Sequence, residues 1–342
     1  MGKLNPTIYF DDFLQYYAKA ARLQDANIAS PHGRDPHDAR HHVDDPLMDY
    51  IPIYDCVERR YAGFSNALQQ LWYGSANPKA WQREAAYDDL SLTSEDWLWV
   101  FLVHRVTGSG ASFAHDHGFR NSVLPDIVWA GDRYAQQRKL LELIRDKDRP
   151  CFTSIGNQIP AFPKPRPPFK TGGERYFAEF ALELVRDVHE FCWAGKQQTI
   201  TDVVDWIGGW TKDHGLKNFK FVYTAWVMDI AEYFPKRVDP ASHVYYGANC
   251  EEAFDLMFDS SGFRNRGLRD RAAMELICER VEDGSHPALP YSLEDVACDY
   301  IRYVECYVPA GYEHLEPWQV HNRSLVPDHP KHRSFYDVQR RD

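Results

Sequence analysis

The sequence predicts a mainly α-helical protein, on three observations. Several stretches carry apolar residues at helical spacing, two helix starts carry capping signatures, and alternating strand patterns are few and short. Phe10, Phe13, Leu14, Tyr17 and Ala21 follow the i, i+3, i+4, i+7, i+11 rule of a single helical face. Phe177, Phe180, Ala181, Leu184, Val188 and Phe191 repeat it. Phe219, Val222, Trp226, Ile230 and Phe234 repeat it again, as do Leu293, Val296, Ala297, Tyr300 and Val304. Thr93 stands three residues before Asp96, and Ser292 three before Asp295, each just ahead of an apolar run. That spacing lets a hydroxyl and a carboxylate serve the orphan amides of a helix start.

Three stretches interrupt the helices. Residues 30–46, "SPHGRDPHDARHHVDDP", are polar and proline-punctuated, and read as a loop. Residues 156–173, "GNQIPAFPKPRPPFKTGG", are too rich in proline to be helical through their middle. Residues 307–342 read as an irregular tail. At 342 residues the chain is long enough for a substantial core. The expected organisation is one helical domain over 1–342, with lobes at about 1–205 and 206–306 and the tail at 307–342.

Composition narrows the function classes. Hydrophobic residues make up 44% and aromatics 14%, which is a globular composition and not a disordered one. The most apolar run, "WLWVFLV" at Trp97–Val103, is far shorter than the roughly 20 residues that span a bilayer. The N-terminal "MGKLNPTIYFDDFL" has no signal pattern, and Pro6 stands where a myristoylation motif wants Ser or Thr, so a cytoplasmic protein with no membrane partner is expected. The seven cysteines form no CxxC pair and read as reduced thiols. A net charge of −11 argues against indiscriminate binding to nucleic acid. Positive charge is nonetheless concentrated beside aromatics in "KPRPPFKTGGER", "KDHGLKNFKF" and "HPKHRSFYDVQRR", stretches suited either to phosphates and bases or to plain solvation.

The stretch "RVTGSGASFAHDHGFRNS", Arg105–Ser122, admits three readings. His115, Asp116 and His117 could hold a metal, but two histidines at i and i+2 face apart on a helix, and no HExxH or PCxxC pattern accompanies them. Alternatively, Gly108, Ser109 and Gly110 could turn backbone amides and a hydroxyl onto an anion, with Arg105, Arg120, Asn121, His115 and His117 around it. The third reading is a buried turn whose polar groups satisfy one another. No Walker motif and no GxSxG elbow is present.

Two further segments carry chemistry-bearing residues. In "FKTGGERYF", Gly172 and Gly173 precede a helix start, with Lys170 upstream and Arg175 in the first turn. This suits an anion held on a helix N-terminus, or a plain glycine loop. In "YFPKRVDPASHVYYGAN", Asp239 and His243 stand four apart, a spacing that would put them on one helical face as a base and its neighbour. Asp239 or Ser242 could equally be a helix cap beside Pro240. The C-terminal "VECYVPAGYEHLEPWQVHN", with Glu305, Glu313, His314, Glu316 and His321, could bind an amine or lie as a solvated tail.

Taken in order, "HRVTGSGASFAHDHGFRNS", "KTGGERYF" and "DPASHVYYGAN" resemble the phage-associated α-glutamyl/putrescinyl-thymine pyrophosphorylases, also described as amino acid:DNA transferases, across roughly residues 95–250. "RVDPASHVYYGAN" is more distantly similar to the helix–hairpin–helix DNA glycosylases, with Asp239 at their catalytic aspartate and His243 at the histidine that follows. The segment upstream, "HGLKNFKFVYTAW", departs from that pattern in lacking a glycine-rich hairpin.

The resemblance implies a two-lobed helical domain of the glycosylase type and an enzyme of thymidine hypermodification in an infected bacterial host. Its partners would be DNA containing a modified thymine and a small-molecule amine, an amino acid or a polyamine. The amine would displace pyrophosphate from the pyrophosphoryl ester of 5-hydroxymethyluracil. No cofactor is implied, although Mg2+ could accompany the pyrophosphate. The Gly-Ser-Gly and Thr-Gly-Gly segments, with Arg105, Arg120, Lys170 and Arg175, would receive the leaving group. Asp239 or His115 would take the proton, and Tyr176, Tyr245 or Tyr246 would stack on a flipped base. Two rival functions stand beside this one: a glycosylase-like hydrolase using Asp239, and a non-enzymatic DNA-binding protein.

Overall fold

Apolar side chains on every face of a helix require burial on every face, and two segments of this chain meet that condition. In a computed structural model of the protein, residues 2–29, 57, 68, 92–107, 127–128, 130–145, 162–281 and 286–307 are described. Among them the fold is mainly α-helical, with ten helices and four short strands. The described elements fall into two compact units, divided between Tyr245 and Tyr246. Residues 205 and 206, the lobe boundary expected from the sequence, lie inside a single helix (Ile200–Asp213).

The first unit contains β1 (Lys3–Pro6) and α1 (Ile8–Ala29). The second unit holds α2 (Ser94–Thr107), α3 (Arg133–Arg145), α4 (Gly172–Glu179), α5 (Ala181–Trp193), β2 (Gln198–Thr199), α6 (Ile200–Asp213), α7 (Lys220–Tyr233) and β3 (Val238–Asp239). The chain then returns to the first unit with α8 (Ala248–Met257), β4 (Phe258–Ser261), α9 (Arg266–Val281) and α10 (Pro290–Tyr307).

In the first unit β1 and β4 pair antiparallel, Lys3 opposite Ser261 and Pro6 opposite Phe258. Thr7 then donates its amide to Met257 O and its hydroxyl to Leu256 O, tying the start of α1 to the end of α8. The core is built from the apolar faces of α1, α8, α9 and α10: Phe10, Phe13 and Tyr17 meet Phe254, Met257, Ile277, Val296 and Tyr300. Tyr300 donates its hydroxyl to Asp12 at 2.7 Å, so a carboxylate on the inner face of α1 has a partner there. Helix α10 begins at Pro290, not at Ser292. Proline suits the first helical position because its missing amide would have no intrahelical acceptor, and Ser292 is buried two residues further in.

The second unit is organised by α2 and α7. All seven residues of Trp97–Val103 are fully buried, each large apolar side chain contributing roughly 1.5–3 kcal/mol. The run Val222–Ala231 of α7 is buried throughout. The two helices meet through Trp226 Nε1, which donates to Leu98 O, and through Phe101 stacked on Tyr233. Thr93 caps α2 as the sequence predicts. Its hydroxyl accepts the Asp96 amide, and Asp96 accepts the Thr93 amide at 2.9 Å. The helix expected through Phe177–Phe191 is two helices. The chain breaks at Phe180, whose φ of −122° is not helical, and α5 restarts beyond it.

Candidate functional site

The three sequence-predicted segments are described to different extents. Of the first, Arg105 lies in the last turn of α2. Gly108, Ser109, Gly110, His115, Asp116, His117, Arg120 and Asn121 lie outside the described residues. The guanidinium of Arg105 is turned inward. Its Nε and Nη2 each donate to a separate oxygen of Asp229 on α7 at 2.5 Å, and the two side chains are 6% and 2% exposed. A planar fork meeting a carboxylate at two points satisfies both charges where no solvent can. Asp229 carries a sequence signal of its own: it is a lone acid in the otherwise apolar "WVMDIA".

The Thr-Gly-Gly segment forms the start of α4. Thr171 is the cap residue, with extended backbone, and its hydroxyl accepts the Glu174 amide at 3.1 Å. Glu174 reaches back to accept the Lys170 amide at 2.8 Å and the Nε of Arg145 at 2.7 Å. Burial pushes the Glu174 carboxyl upward, but the Lys170 amide and the Arg145 guanidinium together outweigh it and hold the group below the usual carboxylate range. The anion at this helix start is therefore the chain's own. Gly172 is required for another reason: a Cβ there would sit 2.2 Å from the carbonyl oxygen of Pro163, where two backbone segments touch.

The cations of this segment divide. Arg175 donates Nε to Glu179 and Nη1 to the Lys164 carbonyl, and lies over the Phe180 ring. Lys170 carries its ammonium on an exposed side chain. Gly173 is buried. Tyr176, expected in a substrate slot, is 0% exposed and packs among Phe162, Phe177 and Phe219, with its hydroxyl 3.2 Å from that of Tyr223. Burial raises its phenol well above the ordinary value. It is a core residue.

The third segment is built around two parallel strands of two residues each. Gln198 lies opposite Val238, and Thr199 opposite Asp239. Thr199 caps α6 by accepting the Asp202 amide. Asp239 Oδ1 accepts the Ala241 amide at 2.9 Å, an Asx turn that Pro240 favours. The Asp239 carbonyl accepts the Ser242 hydroxyl, and that oxygen accepts the Ile200 amide. Residues 239–243 therefore form a strand end and a turn. The shared helical face expected for Asp239 and His243 is absent, because proline and the Asx turn redirect the chain. Both residues are half-buried.

Tyr245 and Tyr246, expected as base-stacking residues, differ. Tyr245 donates its hydroxyl to Asp205 at 2.6 Å and receives the Lys220 ammonium 3.1 Å from its ring centroid. Burial and the Asp205 carboxylate push its phenol up to about 12. Tyr246 packs edge-on against Phe254 in the first unit. Helices α6 and α7 are joined by a turn at His214–Phe219, where Gly215 has φ +65° and Leu216 N–H donates to Thr211 O. Lys212, Lys217 and Lys220 are exposed around it.

Among the described residues, no group of three His, Cys, Asp or Glu side chains could hold a metal ion. No helix of the described residues is long and apolar enough to cross a membrane. No family model matches the chain, and neither does any curated protein or solved structure.

Proposed function

We propose that this protein is a DNA base-modifying transferase that joins an amino acid or polyamine to pyrophosphorylated 5-hydroxymethyluracil and releases pyrophosphate. The observation that carries this reading is the construction of residues 200–243. Two helices, α6 and α7, are joined by a turn around a left-handed glycine and flanked by exposed lysines. They lead directly into β3 and a half-buried Asp239. This order of parts supports the resemblance to helix–hairpin–helix proteins that act on DNA bases, and the lysines suit a phosphate backbone.

The reaction is a substitution at the 5-methylene carbon. The amine lone pair forms the new C–N bond, the C–O bond to pyrophosphate breaks, and the electron pair leaves on the pyrophosphate oxygen. Asp239 takes the proton that the nitrogen sheds as the C–N bond forms. Its Oδ1 is oriented by the Ala241 amide, which holds the carboxylate in one direction. Lys170, exposed beside α4, is the cation for the departing anion, whereas Arg105 is already neutralised by Asp229.

The test is incubation of the protein with DNA carrying 5-hydroxymethyluracil or its pyrophosphate, together with amino acids and polyamines, followed by nucleoside mass spectrometry. An amino adduct with released pyrophosphate supports the reading. An abasic site replaces it with the glycosylase-like hydrolase, and unchanged DNA overturns both.

A further inference from the structure

Ser94, the first residue of α2, places its hydroxyl oxygen 2.8 Å from Nε2 of His189 on α5. Neither residue belongs to the segments above, and 95 positions separate them. The imidazole lies flat on the indole of Trp193, with ring centroids 4.2 Å apart and 20° between planes. Trp193 is itself held by Phe234, edge-on at 5.3 Å, and carries the Arg237 guanidinium 5.4 Å from its ring. Stacking thus fixes the imidazole plane. Both Ser94 and His189 are half-buried.

The Ser94 hydroxyl is not spent on the helix start. Thr93 and Asp96 make that cap between them. The amides of Ser94 and Glu95, at the first two helical positions, have no intrahelical acceptor. Glu95 would oppose a developing negative charge there, but its carboxylate is paired with Arg133 at 2.9 Å.

We propose that Ser94 and His189 are a nucleophile–base dyad that accepts the acyl group of a carboxylic ester, an activity separate from the transferase reading. Ser94 Oγ attacks the ester carbonyl carbon as its proton passes to His189 Nε2. The carbonyl oxygen takes the negative charge beside the first-turn amides of α2. The intermediate collapses by breaking the bond to the alcohol oxygen, which leaves with the proton from His189. Water, deprotonated by His189, then attacks the acyl carbon, releases the carboxylic acid and restores Ser94.

The charged groups around the imidazole favour its neutral, proton-accepting form. Burial lowers its affinity for a proton. Glu95 on α2 and Glu190 on α5 draw it back up, while Arg133 on α3 and Arg237 ahead of β3 press it lower. The result lies below the ordinary value of 6.5.

The experiment is reaction of the full-length protein with a fluorophosphonate probe, read by peptide mass mapping and by labelling rate. The probe phosphorus takes the place of the carbonyl carbon and fluoride is the leaving group. Label is expected on Ser94 and is lost in Ser94→Ala. His189→Gln keeps a hydrogen-bonding side chain but no base, and should slow labelling by about 100-fold. In the wild type the rate should rise with pH to a plateau, with a midpoint below 6.5. Absence of label on Ser94, an unslowed His189→Gln variant, or a wild-type rate whose midpoint lies above 6.5 would each overturn the proposal. The pH profile needs no variant to fold.

Discussion

Arg105 and Asp229 close a two-point ion pair between α2 and α7, with both side chains almost entirely removed from solvent. Removing either partner strands a buried charge, a cost of about 3–5 kcal/mol. Arg105→Ala and Asp229→Asn should each lower the urea midpoint accordingly. A paired replacement by Met and Leu should cost much less than the sum of the single losses, because no charge is then left alone. Arg105→Lys keeps the charge and loses the fork, and should fall in between. A stable Arg105→Lys protein with lost transferase activity would place Arg105 at the substrate instead.

The capping box of α4 makes part of the stability depend on acid. Glu174 has its folded-state value below its ordinary 4.5, so its contribution is complete above that value. It is lost as pH falls through the lowered one. Wild type and Glu174→Gln should therefore differ most in thermal midpoint near neutral pH and converge as pH falls through that lowered value. Asp96, whose burial raises it but whose bonds from Thr93 and Arg133 lower it further, predicts the same convergence for Asp96→Asn. Thr171→Ala should cost about 1 kcal/mol with little pH dependence.

Two glycines should respond in opposite directions to alanine. At Gly172 the new Cβ meets the Pro163 carbonyl at 2.2 Å, and neither backbone segment can yield without moving the start of α4. A loss of about 1–3 kcal/mol follows. Gly209 lies inside α6 with nothing within 4 Å of the added carbon. There alanine restricts only the unfolded chain and should add about 0.4–1 kcal/mol. Chemical denaturation of the two variants reads both signs.

What the sequence made legible was local. The run Trp97–Val103 foretells a buried helix because seven consecutive apolar side chains leave no face for water. The Thr93–Asp96 spacing foretells its start because capping geometry spans three residues. The break at Phe180 is invisible, since the apolar period of Phe177, Ala181 and Leu184 runs through it in phase. The partners of Arg105 and Ser94 stand 124 and 95 positions away, and no local pattern encodes such distances. Tyr176, expected to stack on a base, is a core residue for a related reason: Tyr223, brought in by a different helix, places its hydroxyl 3.2 Å from that of Tyr176.

Asp239 separates the structural from the chemical role most cleanly. Its Oδ1 holds the Asx turn through the Ala241 amide, a task that the carbonyl oxygen of asparagine performs equally well. Its backbone carbonyl and the pairing with Thr199 do not depend on the side chain. Asp239→Asn should therefore keep the fold, with a thermal midpoint close to wild type. It cannot take a proton from an ammonium, and the transfer rate should fall by a factor of about 100 or more. Asp239→Ala loses the turn as well, and should lose stability in addition to rate. Single-turnover formation of the amino adduct, measured beside thermal melts, checks both variants. If Asp239→Asn transferred the amine at the wild-type rate, Asp239 would be a turn residue alone, and the base would have to be sought in another segment.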